Sequence, residues 1–257
     1  MQISAVIITK NEERNIERCL KSLQNIADEI LVVDDFSTDT TKDICEKYNV
    51  KFFQNQWLGY AQQKNYANSL SSYDVILSID ADEALSVELQ QSLLNLKSTD
   101  KQNFVCQINR LTNYCGKWIY HCGWYPDKKI RVFNRNQAKW IGTIHETISF
   151  PDDTEVIKLK GDLFHYSYHS IEDHINRANK YSTLTAIEAF KKGKRITFFS
   201  LIIRYYWKFF RNYFLKKGFL DGYYGYVICR ISAFTTFLKY SKLKELHKQE
   251  EHISSFL

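Results

Sequence analysis

The residues best suited to chemistry lie in the run LSIDADE, Leu77–Glu83. Asp80 and Asp82 stand two apart at the end of an apolar stretch, and in extended backbone both side chains point to the same side. Two hard carboxylates so placed can share Mg²⁺ or Mn²⁺ and leave positions open for water and substrate phosphates. A solvated acidic turn has the same letters. What favours the metal reading is the buried strand leading into these acids, together with a second acidic strand end nearby in sequence. That second end is ILVVDD, where Asp34 and Asp35 can accept from a base N–H or from ribose hydroxyls. Asp35 could equally serve the N-terminus of a helix after Ser37. Five histidines (His121, His145, His165, His169 and His174) fall within 54 residues. None forms HExxH, which disfavours a zinc hydrolase.

The elements that must position these residues can be read in order. AVIIT (Ala5–Thr9) is a short β-branched run, as a buried parallel strand should be. Asn11 can cap the helix that carries Ile16, Leu20 and Leu23. EILVVD (Glu29–Asp34) is a second strand, and Ser37 opens a helical stretch with Ile44 and Tyr48 on one face. Val50–Phe53 is a third strand, a helix follows around Ala61–Leu70, and VILSID (Val75–Asp80) is the fourth strand. This alternation implies a parallel sheet covered on both faces. Ligands bind such sheets beyond the carboxyl ends of the strands, here TKNE, DDFSTD and DADE. Neither GxGxxG nor GxxxxGKS occurs, which disfavours a dinucleotide enzyme and a P-loop NTPase.

The chain has 257 residues, 44% hydrophobic and 25% charged, a folded composition. With two prolines and no Pro/Gly/Ser-rich linker, a string of small modules is disfavoured. Six cysteines without a CxxC, and an N-terminus that reads as a buried strand, point to a reduced, cytoplasmic protein. Net charge is +6 but uneven: residues 1–190 carry 21 Lys/Arg against 25 Asp/Glu, and residues 191–248 carry 14 against two. The basic region is also aromatic. Arg204, Lys208 and Arg211 form one helical stripe, with Phe199, Ile202, Ile203, Tyr206, Phe210 and Phe214 on the other side. That suits a helix in the headgroup layer of an anionic membrane, or one packed on the preceding domain with a solvated charged face. Arg204, Lys208, Asp221 and Arg230 interrupt any span. Nucleic acid is not expected as a partner, since the tail has no recognisable binding motif and the first domain is acidic.

TKNEERNIERCLKSL, EILVVDDFSTDTT and LSIDADE, in that order and spacing, resemble the nucleotide-sugar domain of family 2 glycosyltransferases with the GT-A fold. GKWIYHCGWYPDKKIRVFNR, IGTIHETI, FHYSYHS and GFLDGYYGY resemble the subgroup that includes lipopolysaccharide-core β-glucosyltransferases, so the likeness runs over residues 3–240. The resemblance implies an α/β, Rossmann-like, mostly parallel sheet with helices on both faces. The chain then divides into a catalytic domain at 1–190 and a helical basic-aromatic appendage at 191–257, whose composition suits association with a membrane. By position, Asp34 would contact the base (Asp35 being interchangeable with it), and Thr9 and Glu12 would lie beside the nucleotide. Asp82 would reach the metal, and Asp80 the ribose or metal-bound water. Lys64 would lie near the diphosphate, although an exposed helix lysine explains it equally well. His165 would be a third metal ligand.

The family usually has a Glu-Asp pair as the site of its catalytic base; here His145-Glu146 stands instead, so Glu146 is the candidate base and Asp127 the runner-up. Trp140 and Trp118 could desolvate Glu146. Trp118, Trp124 and Tyr125 could stack on an acceptor sugar, or simply fill a core. Arg131 could approach phosphate or snorkel. The implied activity is inverting, metal-dependent transfer from a nucleotide diphosphate sugar, UDP-linked, to a hydroxyl of a membrane-associated glycan or glycolipid at the inner face of the cytoplasmic membrane. The rivals are a non-catalytic membrane-bound nucleotide-sugar-binding protein and a sugar-phosphate nucleotidyltransferase.

Overall fold

The computed structural model describes residues 1–142 and 146–254. In chain order the elements are β1 (Ile3–Thr9), α1 (Ile16–Leu23), β2 (Glu29–Asp34), α2 (Thr41–Glu46), β3 (Lys51–Gln54) and α3 (Tyr60–Ser69). Next come β4 (Val75–Asp80), β5 (Glu83–Leu85), α4 (Val87–Lys97), β6 (Phe104–Tyr114), β7 (Lys117–Ile119) and β8 (Asp127–Asn134). The rest are β9 (Lys139–Ile141), β10 (Thr147–Ser149), β11 (Glu155–Tyr168), α5 (Ile171–Lys191), α6 (Phe198–Phe210) and α7 (Gly222–Ser254). They group into two compact units. The first holds Met1–Leu111 and Pro126–Tyr166, the second Thr112–Tyr125 and Ser167 onward.

The first unit is built on a sheet of order β3-β2-β1-β4-β8-β6-β11-β5. β1 pairs parallel with β2 and β4, and β2 pairs parallel with β3. β8 pairs antiparallel with β4 and β6, and β5 with β11. The period-two alternation of β1 explains the two-sided cover. Ile3, Ala5 and Ile7 join a core with Leu20 and Leu23 of α1 and Leu89 and Leu93 of α4. Val6 enters the opposite core with Leu31, Ile76, Phe133 and Ala61 and Ala67 of α3. Parallel strands need both faces buried, and these apolar runs supply both.

Two local expectations are corrected. Asn11 does not cap α1, which starts at Ile16 after Asn15. Asn11 takes a left-handed φ of 53° and its side-chain oxygen accepts from Thr38 N at 2.8 Å, tying the β1–α1 loop to the β2–α2 loop. Ser37 does not open α2 either; the helix begins at Thr41, because Ser37 folds back on Asp34 with both its N–H and its hydroxyl.

At the far end of β2, Glu29 pairs in register with Ser4 and is only 8% exposed. It accepts from Ser4 Oγ at 2.6 Å and from Ser72 N and Oγ at 2.8 Å, and it pairs with Lys51. Burial alone would raise its carboxyl, but the hydrogen bonds from Lys51, Ser4 and Ser72 bring it down from 4.5 to about 2. A depressed acid contributes stability above its unfolded value, and this is lost as pH falls from 4.5 toward 2. The contribution is about 3 kcal/mol. The gap in urea-unfolding free energy between wild type and Glu29→Gln should therefore narrow through that window; a gap constant with pH would contradict the assignment.

In the second unit α5 starts from a capping box of Ser170 and Asp173, and α7 packs on α5 and α6. Trp124 stacks on Tyr168 with centroids 5.3 Å apart and meets Tyr114 edge-on at 5.9 Å. It serves the core rather than a sugar. Trp118 faces Asn113 across the β6–β7 pair. The surface of α6 mixes charge with aromatic rings, and Arg204 is exposed. Lys208 is half-buried, and burial with Arg211 close by lowers its pKa. Phe198, Phe199, Ile203, Tyr206 and Trp207 are exposed. No helix among the described residues is long and apolar enough to cross a membrane.

Candidate active site

Parallel register brings the polar strand ends together, with Thr9 beside Asp34 and Ile8 beside Asp80. Asp34 is fully covered; Ser37 binds both its oxygens and Gln54 approaches at 3.4 Å. Asp35 accepts from Trp57 N at 3.1 Å and pairs with Lys10. The carboxylate of Glu12 accepts from Asn15 at 2.9 Å, and its N–H donates to Thr41. Thr9 is buried, yet its hydroxyl has no hydrogen-bond partner among the described residues. A buried orphan hydroxyl at a strand end is where a ligand's polar group would be satisfied.

A chain of alternating charges runs beneath these ends. Lys64 of α3 is 3% exposed, not the solvent-facing lysine its polar helix suggested. Its ammonium lies 2.9 Å from Asp80 Oδ1, 3.4 Å from Glu146 Oε1 and 4.4 Å over the Trp140 ring. Asp80 Oδ2 meets Arg131 at 2.8 Å, and Arg131 meets Glu83 at 2.6 Å. Glu83 also accepts from Asp80 N at 3.0 Å and from Arg110 at 3.3 Å. Arg110 grips Asp127 Oδ2 through two nitrogens, at 2.6 and 3.0 Å, and Lys129 lies 3.1 Å from Asp127 Oδ1. Burial opposes the charge on Asp80, but the Arg131 and Lys64 cations hold its carboxyl well below the usual range. Asp127 is likewise lowered, against burial, by Arg110 and Lys129.

Arg131 therefore neither snorkels nor reaches outward: it is 2% exposed and spent on Asp80 and Glu83. Asp127 opens β8 directly opposite Arg110, a geometry that suits an anchor. The two candidate bases, Glu146 and Asp127, are the terminal carboxylates of one ionic chain. Glu146 is partly covered, 23% exposed at its side chain; His145 before it lies outside the described residues. Sequence reasoning missed the roles of Glu83 and Arg110. The third acid of DADE was the available signal for Glu83, and the charge within the apolar run INRL was the one for Arg110.

Asp82 and His165 meet at 3.3 Å, Oδ2 to Nε2. The β5–β11 pairing sets this, with His165 opposite Glu83 and Tyr166 N donating to Asp82 O at 2.8 Å. Arg18 of α1 covers the Tyr166 ring at 3.8 Å and pins that strand end. Neighbouring ligands on an octahedral divalent ion sit ~3 Å apart, so an oxygen and an imidazole nitrogen at this separation fit one. Asp80, with both oxygens on cations, fits a contact through water. No group of three or more His, Cys, Asp or Glu side chains converges on one point among the described residues.

The family model for glycosyl transferase family 2 matches residues 4–151. The chain belongs to that family. It is 37% identical over 262 residues to an uncharacterized glycosyltransferase of Rickettsia typhi, covering 98% of this chain and 90% of the relative. It is 29% identical over 259 residues to the lipopolysaccharide core biosynthesis glycosyltransferase LpsC of Rhizobium meliloti, covering 96% and 93%. Among solved structures, S. aureus TarS 1–349 aligns over 97% of this chain and 92% of that one at 16% identity, with a TM-score of 0.47. The α/β sheet with helices on both faces is of the fold class that the sequence resemblance implied, and α5, α6 and α7 follow it toward the C-terminus. The matched region contains the whole ionic chain from Lys64 to Glu146, and His165 lies beyond it.

Proposed function

We propose that this family 2 glycosyltransferase is an inverting, metal-dependent enzyme. It transfers a hexose from a UDP-sugar to a hydroxyl of a membrane-associated envelope glycan such as lipopolysaccharide core. The carrying observation is Lys64, shared by Asp80 and Glu146 under the Trp140 ring. One buried cation thereby fixes a donor-side carboxylate and a partly desolvated carboxylate next to each other. Glu146 takes the acceptor hydroxyl proton as that oxygen attacks C1 opposite the departing diphosphate. Thr9, Asp34 and Asp35 line the strand ends where base and ribose bind. Mg²⁺ or Mn²⁺ held by Asp82 and His165, with Asp80 through water, would supply Lewis-acid stabilisation of the diphosphate. The likeness to LpsC supports the acceptor class.

The exposed aromatic face of α6, with Lys216 and Lys217 beyond its end, supports seating on an anionic membrane surface at the cytoplasmic inner leaflet, residues 191–257 being the associating region. The test is a thermal-shift screen of UDP-, GDP-, CMP- and dTDP-sugars with and without Mn²⁺, followed by sedimentation with phosphatidylglycerol vesicles. A UDP-sugar at a hundred times its Kd should add about 2.7 kcal/mol of stability, only with metal, and Asp82→Asn should abolish the shift. No shift from any donor in folded protein overturns the donor reading. Failure to sediment with the vesicles overturns the membrane reading.

A further inference from the structure

In the second unit a buried carboxylate is devoted to one short loop. Asp221 is 3% exposed and ends the turn Gly218–Asp221 that leads into α7. Its Oδ2 accepts the N–H of His121 at 2.8 Å. Its Oδ1 accepts the N–H of Tyr120 at 3.3 Å and faces His121 Nδ1 at 3.0 Å. Cys122 Sγ lies 3.8 Å from the same carboxylate, and Lys117 Nζ donates to the Asp221 carbonyl at 2.7 Å. Two glycines allow this closeness. A Cβ on Gly225 would stand 2.0 Å from the Gly218 carbonyl oxygen, and one on Gly218 would stand 2.7 Å from Cys229 Sγ and 3.0 Å from Cys122 Sγ. The GFLDGYYG motif is thus a close-packed base under residues 120–122. Cys122 is held left-handed, at φ 61°, a strain that persists only where the surroundings impose it.

This machinery presents two side chains. The carboxylate accepts backbone N–H groups at both oxygens, so Nδ1 faces it as a donor, and in the neutral imidazole Nε2 is then an acceptor. The His121 side chain is 31% exposed. Tyr120 beside it is 48% exposed, with its ring edge-to-face against Tyr125 at 5.6 Å. A negative aromatic face next to a hydrogen-bond acceptor matches a pyranose ring, which offers polarised C–H groups on one face and hydroxyl donors at its rim.

We infer that Tyr120 and His121 form a subsite for a sugar ring of the acceptor, with Asp221 as the positioning residue. The inference rests on the transferase reading. Tyr120 packs under the ring and Nε2 accepts from a ring hydroxyl, without taking part in bond breaking. Saturation-transfer NMR with methyl α-glucoside, methyl α-mannoside and deacylated lipopolysaccharide core tests it on wild type, Tyr120→Ala and His121→Ala, each first shown to be folded. UDP is titrated into the same samples. One lost hydrogen bond corresponds to about tenfold weaker binding, so His121→Ala should weaken sugar binding by that factor with UDP affinity unchanged. Asp221→Asn should raise the acceptor KM and leave the donor KM alone, a split that general destabilisation would not produce. Equal sugar binding by wild type and both variants overturns the inference. So does wild type that binds UDP but none of the sugars. Protein that contacts sugars through this loop yet binds no UDP keeps the subsite and overturns the donor reading instead.

Discussion

Glu146→Gln is expected to lower kcat for sugar transfer by about 10²- to 10⁴-fold while UDP-sugar binding stays as in wild type. Gln keeps the size and the hydrogen-bonding reach of Glu146 but cannot accept the acceptor proton. The donor side is untouched, because Asp80 retains Lys64 at 2.9 Å and Arg131 at 2.8 Å. Single-turnover transfer with bound donor separates the chemical step from binding. Asp127→Asn is the control: it loosens the grip of Arg110 and so costs stability before turnover. If Glu146→Gln turns over normally and Asp127→Asn does not, the base has been assigned to the wrong end of the ionic chain. A nucleotidyltransferase would be recognised in the same assay by pyrophosphate release in place of UDP.

The second large effect is on folding. Arg131→Met should destabilise the protein by about 3–5 kcal/mol, because it removes the buried cation that Asp80 and the fully covered Glu83 share, leaving Asp80 with Lys64 alone and Glu83 with Arg110 at 3.3 Å. For a chain of this size that is a fall in Tm of about 6–20 °C. Removing the facing charge as well, in Arg131→Met with Glu83→Gln, should recover part of the loss. Asp80 then keeps Lys64 and Arg110 keeps Asp127, so the cycle should show coupling of about 0.5–3 kcal/mol. A single variant as stable as wild type, or a double variant whose loss is the plain sum, would show that the buried chain does not act as a unit. The chain's other consequence is geometric: Asp80 is clamped on both oxygens, so a ligand at that strand end would meet a preorganised carboxylate.

Much of the fold was legible because its signals are local. AVIIT, EILVVD and VILSID are continuous apolar runs, and β1, β2 and β4 appear where they lie, at Ile3–Thr9, Glu29–Asp34 and Val75–Asp80. The loops misled at Asn11 and Ser37, since Asn11 binds Thr38 across the β1–β2 boundary and Ser37 turns back on Asp34 at the end of β2, partners that helix-capping rules do not weigh. At the site, the letters DADE announced carboxylates at a strand end but not their partners. Lys64 looked like any polar-helix lysine, and Arg131 like a half-buried strand residue.

By itself the sequence determined the order of strands and helices from β1 to β4, the polar ends of β1, β2 and β4, and the family, because these depend on residues close together along the chain. The tertiary structure alone decided which charges are buried and with whom. Lys64 finds Glu146 at 82 positions' distance, and Asp80 finds Arg131 at 51. His165 reaches Asp82 only because β11 pairs antiparallel with β5. A charge leaves water only when a counter-charge is already held opposite it. Strand register and helix packing supply that condition, and no short stretch of residues contains it.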